Sequence, residues 1–192
     1  MSRKPLRSLF IASIGNPGGY RNTRHSAGHL LLDAISPLLS THLPPVYRSW
    51  QSPSYMNESG KKLVRELESY KRIDPSRPAS LTLVILHDEL EKPPGKLVIK
   101  RGGPEKASLR GHNGLKDIFN WLGSRKLYPG LPVLRIGVGI GRPDSRSPEE
   151  VSNYVLSTME GRELDALKRV AVSVVETLAL EAWGTEKENP TR

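Results

Sequence analysis

The chain has 192 residues, 36% hydrophobic and 26% charged, which fits one globular domain. The absence of cysteine excludes disulfides, zinc–thiolate sites and thiol nucleophiles and favours an intracellular location, and no apolar run is long enough to span a bilayer. The formal charge is +9, and residues 96–146, with eleven Lys/Arg and three Asp/Glu, carry +8 of it. Such a concentrated field suits a polyanion such as RNA, and equally a basic face that serves solubility.

Strands alternate with helices along the chain, which predicts a single α/β domain, residues 1–192, with a mixed central β-sheet flanked by helices. The apolar run 8–14 predicts a core strand and not a cleaved leader, because it runs directly into a Gly-Asn-Pro-Gly turn. Further strands are predicted over residues 81–86, 96–103 and 132–140.

Helices are predicted between these strands from apolar periodicity and capping residues. The predicted helices are 24–39 with Thr23 as N-cap, 57–70 capped by Asn57, one capped by Asn113 and ended by Gly123, one opened by a capping box at 147–150, and 161–183. We expect residues 41–56 to be irregular, 74–80 to be a surface loop and 185–192 to be a frayed tail.

Three polar clusters follow strands or open helices: Asn16 with His25, His87-Asp88-Glu89, and His112-Asn113. Strand ends in open α/β sheets are where ligand crevices form, so we expect the clusters to converge. Each cluster also has a purely structural explanation as a turn residue, a helix cap or a packed histidine. The positive end of a helix dipole is expected to bias His25 toward its neutral form.

Several reaction classes lack their sequence signatures in this chain. No G-x-S-x-G elbow, Walker loop, dinucleotide fingerprint or H-E-x-x-H pair is present. Hydrolysis by a histidine general base remains, with a carboxylate to orient it and carboxamides to position an acyl group. A non-catalytic RNA-binding protein and a metal-dependent hydrolase are the alternatives.

The motifs GNPGGYRNTRHSAG, YMNESG, HDELEKPPGKLVIKRGG, RGHNGLKDI, LRIGVGIGRP and VSNYVLSTM occur in this order over residues 8–180. Together they resemble the bacterial-type peptidyl-tRNA hydrolase family. The resemblance implies metal-free and cofactor-free hydrolysis of the ester between a peptide and the 3′-terminal ribose of tRNA. It implies a role in recycling tRNA from peptidyl-tRNA released by the ribosome. We expect a monomer that acts in the cytoplasm, with the mitochondrion as the alternative.

The resemblance also implies roles for particular residues. His25 matches the catalytic base, Asp88 the acid that orients it, and Asn16 the carboxamide that distinguishes an N-acylated substrate. The residues that match substrate and tRNA contacts are Tyr20, Tyr55, Met56, Asn57 and Asn113 in the cleft, with Lys100 and Arg135 at the 5′-phosphate of the tRNA.

The chain departs from the family pattern at three places. Ser26 follows the histidine where the family usually has Asn, so we expect a different hydrogen-bond pattern at the start of the helix. Residues 103–110 form a longer loop without the usual histidine, and its contact with tRNA is open. The segments DPSRPAS and LYPG resemble insertions of eukaryotic members.

Overall fold

A mixed β-sheet forms the centre of the computed structural model, which describes residues 5–73, 80–103 and 112–184. Over these ranges the strands are β1 (Ser8–Ser13), β2 (Tyr47–Gln51), β3 (Leu81–Glu89), β4 (Leu97–Arg101) and β5 (Val133–Gly139), in the sheet order β2-β1-β3-β5-β4. All neighbouring pairs are parallel except β4 with β5, which is antiparallel. The carboxyl ends of β1, β3 and β5 therefore lie at one edge of the molecule.

Helices cover both faces of the sheet. They are α1 (Ala27–His42), α2 (Ser59–Ile73), α3 (Asn113–Ser124), α4 (Pro148–Leu156), α5 (Gly161–Arg169) and α6 (Ala171–Trp183). Along β1 the side chains alternate between two cores: Leu9 and Ile11 pack with α1, α5 and α6, whereas Phe10 and Ala12 pack with α2 and α3. The predicted α/β fold with a mixed sheet is confirmed.

Several predicted boundaries need correction. Residues 41–56 are not irregular throughout, because Tyr47–Gln51 form the edge strand β2. The sequence YRSWQ lacks the apolar run that marked the other strands, and its residues are only partly buried. The predicted helix 24–39 begins instead as a separate 3₁₀ turn, Arg24–Ser26, and Thr23 donates its hydroxyl hydrogen to Tyr20 O without capping a helix N–H group.

The caps and ends of other helices also differ from the prediction. His112, not Asn113, caps α3 through its side chain, and Gly123 lies inside that helix. Asn57 lies in a 3₁₀ turn that precedes α2. The predicted helix 161–183 is two helices, because the backbone breaks at Val170 without a Gly or Pro to signal it. Ser147 does accept from Glu150 N, with Pro148 at the first helical position of α4.

The close approach of α1 to the sheet positions the turn that precedes it. A Cβ atom on Gly28 would lie 2.4 Å from Leu86 O and 2.6 Å from Ile14 O, so only glycine fits there. The turn Arg24–Ser26 is thereby held over the ends of β1 and β3.

No helix in the described ranges is long and apolar enough to cross a membrane. Predictions on 74–79, most of the 103–110 loop and the tail 185–192 fall outside those ranges.

Candidate active site

The three polar clusters meet at the carboxyl edge of the sheet, around the carboxylate of Asp88. His25 Nδ1 lies 3.1 Å from Asp88 Oδ1, and His112 Nε2 lies 3.3 Å from the same oxygen. Asp88 is 3% exposed, and 23% of the His25 side chain is exposed. The expected convergence is therefore observed, with a buried carboxylate behind an accessible imidazole.

Hydrogen bonding fixes which ring nitrogen carries the proton. A carboxylate can only accept, so His25 donates its Nδ1–H to Asp88, and the neutral ring keeps its lone pair on Nε2. His112 Nδ1 accepts from Leu115 N at 3.3 Å, and its Nε2 lies near Asp88 Oδ1 without the geometry of a hydrogen bond. Asp88 therefore has one hydrogen-bonded imidazole, that of His25, and a second imidazole close by.

This arrangement sets the pKa values of the pair. Burial alone raises the pKa of Asp88, but the His25 and His112 rings hold it well below its usual range. Burial lowers the pKa of His25, and the charge and hydrogen bond of Asp88 outweigh this and raise it above 6.5. The prediction that the helix dipole biases His25 toward its neutral form is therefore wrong, because the carboxylate dominates.

His87 lies beside this cluster and remains neutral. Its Nδ1 hydrogen-bonds to the backbone carbonyl of Asp88 at 2.7 Å, and its ring packs edge-on against His112 with centroids 5.1 Å apart. Burial, with a contribution from His112, lowers the pKa of His87 to about 3. His87 therefore supports the wall of the site as an uncharged group.

Two cavities open beside His25, and His25 lines both. The amide cavity, of about 470 Å³, is lined by Asn16 and by the predicted contact residues Tyr20, Tyr55, Met56, Asn57 and Asn113. The basic cavity, of about 460 Å³, is lined by four cationic side chains (Lys100, Arg135, Arg142 and Arg146), by three acidic ones (Asp88, Glu89 and Glu91) and by His112, among others. The structure thus divides the predicted residues between an uncharged amide and aromatic region and a region of many charges of both signs.

Asn16 presents a donor to the amide cavity. Its Oδ1 accepts from Met56 N at 2.9 Å, which leaves the side-chain NH₂ group for a ligand carbonyl. A Cβ on Gly114 would lie 2.4 Å from Met56 Cγ, so the glycine lets the start of α3 pack directly on Met56. This packing brings Asn113 to the same cavity as Asn16.

Ser26 holds the loop that carries Asn16. Its hydroxyl accepts from Asn16 N at 2.9 Å and donates to Tyr20 O at 2.7 Å. Ser26 is fully buried. The residue that departs from the family pattern therefore links the Asn16 loop to the turn of His25.

The two predicted phosphate contacts differ in accessibility. Lys100 and Arg135 are paired in register on β4 and β5. The Lys100 side chain is 43% exposed, with Nζ 3.8 Å from Glu89 Oε2, whereas Arg135 is 2% exposed, with its guanidinium carbon 5.9 Å from the centre of the Phe119 ring. Both add positive charge to the basic cavity, and Lys100 is the one that reaches the surface.

His87 and His112 belong to two of the polar clusters that the sequence predicts to converge, but neither was given a role in the site. The helix cap was predicted at Asn113, because Asn is the stronger capping residue, whereas His112 caps α3. In the ranges described, no group of three or more His, Asp or Glu side chains is arranged to hold a metal ion.

An α/β sheet with a histidine–carboxylate pair at its carboxyl edge, beside an accessible cavity, is an arrangement that suits hydrolysis by a histidine general base. The sequence profile of the family "Peptidyl-tRNA hydrolase" matches residues 10–190. The chain is 35% identical to a "Probable peptidyl-tRNA hydrolase" of Schizosaccharomyces pombe, over 82% of this chain and 75% of that protein. It is 33% identical to a "Peptidyl-tRNA hydrolase" of Haemophilus influenzae, over 83% and 82%.

Solved structures agree with these sequence matches. The crystal structure of peptidyl-tRNA hydrolase from Acinetobacter baumannii superposes with a TM-score of 0.67, 28% identity and coverage of 98% of this chain and 95% of that one. The hydrogenase maturating endopeptidase HybD of E. coli shares the fold alone, at 15% identity and a TM-score of 0.55. The chain belongs to the peptidyl-tRNA hydrolase family.

Proposed function

We propose that this chain hydrolyses the ester bond between a peptide and the 3′-terminal ribose of tRNA, with His25 as the general base. The contact between His25 Nδ1 and Asp88 Oδ1 carries the proposal, because it leaves Nε2 as the basic atom of an accessible ring. The family membership supports peptidyl-tRNA as the substrate.

In the proposed reaction His25 Nε2 removes a proton from water as the water oxygen bonds to the ester carbonyl carbon. The C–O bond to the ribose then breaks, and the imidazolium returns its proton to the ribose oxygen. The products are tRNA with a free 3′-hydroxyl and a peptide carboxylic acid, which ionises by releasing its proton to solvent. Asp88 stabilises the imidazolium that exists between the two transfers, and the low pKa of Asp88 keeps it ionised throughout.

The amide cavity suits the acyl part of the substrate. The Asn16 NH₂ group is a donor for a peptide carbonyl or for the developing oxyanion, and an amide donates without adding charge. Asn57 and Asn113 add amide groups, and Tyr20 and Tyr55, which are 44% and 51% exposed, offer aromatic surface. In the basic cavity four cationic side chains meet three acidic ones, and we assign the phosphates of the acceptor end to its cationic side, with Lys100 as the exposed contact.

A turnover assay with N-acetyl-aminoacyl-tRNA, compared with its unacetylated counterpart, tests the proposal. His25→Ala should lower kcat by about 10²- to 10⁴-fold while tRNA binding persists. His42→Ala, at the exposed end of α1, is the matched control and should keep wild-type kcat. Full turnover by His25→Ala would refute the base, no turnover by the wild type would favour an RNA-binding protein, and loss of activity with a chelator would favour a metal-dependent hydrolase.

A further inference from the structure

The residue directly before His25 makes a buried ion pair with the carboxyl-terminal part of the chain. Arg24 Nε donates to Glu163 Oε1 at 2.8 Å and Nη2 donates to Glu163 Oε2 at 2.9 Å. The residues are 8% and 9% exposed. Two parallel N–H···O bonds fix the plane of the guanidinium as well as its distance, which a single contact does not.

Further contacts hold the Arg24 guanidinium on every side. Nη1 donates to Ser157 Oγ, and the guanidinium carbon lies 4.4 Å from the centre of the Tyr154 ring. The ring itself is anchored, because Tyr154 donates its hydroxyl hydrogen to Ile140 O at 2.6 Å. The side chain of Arg24 is thus fixed to the end of α4 and the start of α5, and Tyr154 is anchored in turn to the residue that follows β5.

Backbone bonds continue the same attachment. Arg24 N donates to Ser157 O at 3.1 Å, Met159 N donates to Asn22 O at 2.9 Å, and Thr23 forms an antiparallel bridge with Thr158. Residues 22–24 and 157–159 therefore run side by side. The turn that carries His25 is short and has no side-chain cap of its own, so these contacts add to those of Ser26 and Gly28 in fixing its position.

We propose that the Arg24–Glu163 ion pair, with Ser157 and Tyr154, is a positioning device that holds the His25 ring on Asp88. It rests on the proposed general-base role of His25. Arg24 and Glu163 touch neither cavity, so they act through the neighbouring residue. A displacement of about 1 Å at a catalytic group can cost about 100-fold in rate, and a bidentate pair one residue away prevents such a displacement.

Two titratable groups face His25: Asp88 from β3 and His112 from the start of α3. The negative charge of Glu163 on α5 is balanced by the positive charge of Arg24. The His25 pKa is raised by Asp88 against an opposing effect of burial. If the turn shifts and the contact with Asp88 lengthens, the pKa of His25 must fall. This shift is a readout that a loss of stability alone does not produce.

The test compares Glu163→Gln with Glu181→Gln in the full-length chain. Glu181 is a matched control: it is 2% exposed, accepts from Thr82 Oγ1 at 2.8 Å and lies 2.6 Å from Arg101 Nη2. Thr82 is near the start of β3 and Asp88 near its end, roughly 20 Å apart along the strand. For each variant we would measure the folded fraction, kcat and KM with N-acetyl-aminoacyl-tRNA, and the His25 titration by NMR.

We expect Glu163→Gln to lower kcat by about 10- to 100-fold with KM within about twofold, and to lower the pKa of His25. Glu181→Gln should reduce stability with wild-type kcat and titration. Arg24→Lys keeps the positive charge but loses the two parallel N–H···O bonds, so it should give a smaller effect in the same direction. This variant serves as the test if Glu163→Gln does not fold.

An unchanged His25 titration and kcat in folded Glu163→Gln, or in folded Arg24→Lys, would overturn the positioning role and leave the general base standing. An equal shift in Glu181→Gln would also overturn it. Full turnover by His25→Ala would refute the base instead, and the NMR titration would then still decide whether the ion pair positions the ring.

Discussion

Two histidines four residues apart show how surroundings decide what an imidazole can do. His25 lies on a 3₁₀ turn, faces two cavities and donates to the carboxylate of Asp88. His29 lies in the first turn of α1, is 1% exposed, and has Nδ1 2.8 Å from Ser13 Oγ. One ring has a raised pKa, and the other has its pKa lowered to about 4 by burial and by Arg21.

Judged by residue type alone, the His29–Ser13 pair resembles a catalytic site more than the His25–Asp88 pair does, because a serine beside a histidine is a common nucleophile and base. Ser13 is fully buried in β1, however, and no substrate can reach it. The proposed base is instead the histidine with a carboxylate behind it and open space in front. Accessibility and a charged partner, not residue type, separate the two sites.

The largest expected effect comes from the carboxylate. Asp88→Asn removes the charge that stabilises the His25 imidazolium, and we expect kcat to fall on the order of 10³-fold. Initial rates with N-acetyl-aminoacyl-tRNA would measure it. Asp117→Asn is the control, because Asp117 bonds Gly60 N away from the cavities. If Asp88→Asn kept kcat within a few-fold of wild type, the carboxylate partner would not be what makes His25, and not His29, the proposed base.

His29 should matter for stability in acid and little for rate. Its folded pKa of about 4 lies below 6.5, so the unfolded chain binds more protons between these values and stability falls as pH drops through this window. The loss corresponds to at most about 3 kcal/mol, and His87 acts in the same direction. Urea unfolding from pH 7 to pH 4 would show it.

His29→Gln should flatten this pH dependence while kcat stays within about tenfold of wild type. His42→Gln, on the exposed end of α1, should leave the wild-type slope. If His29→Gln reduced kcat as far as His25→Ala does, the buried histidine would belong to the active site and the comparison would fail.

The pH dependence of the rate gives a smaller and separate test of His25. The base must be neutral, so kcat/KM should rise about tenfold per pH unit up to a pKa above 6.5 and then level off. Asp88→Asn should move this limb to lower pH as well as lower the rate. If the rise in kcat/KM were centred near pH 3, the base would be His87. If Asp88→Asn left the position of the rise unchanged, the pairing of His25 with Asp88 would be contradicted.

The sequence predicted the parts of the fold that have strong local signals. The apolar runs at 8–14, 81–86 and 132–140 are the three central parallel strands, while the polar edge strand β2 and the break at Val170 carry no such signal. The pattern of strand ends and helix starts indicated Asn16, His25 and Asp88, the family resemblance supplied their roles, and the structure brings His25 to both Asp88 and the cavity of Asn16. Arg24 and Glu163 are 139 residues apart, and no spacing rule connects them.

The smallest expected effect lies at the edge of the basic cavity. Lys100→Ala should raise KM for tRNA substrates about three- to fivefold and reduce its salt dependence, because one exposed phosphate contact is lost. Arg48→Ala is a matched control on β2, the opposite edge strand, since its side chain is 42% exposed against 43% for Lys100. An equal rise in KM for both variants would indicate nonspecific attraction by net charge. An effect confined to Lys100 would assign the tRNA to the edge of the sheet that borders His25.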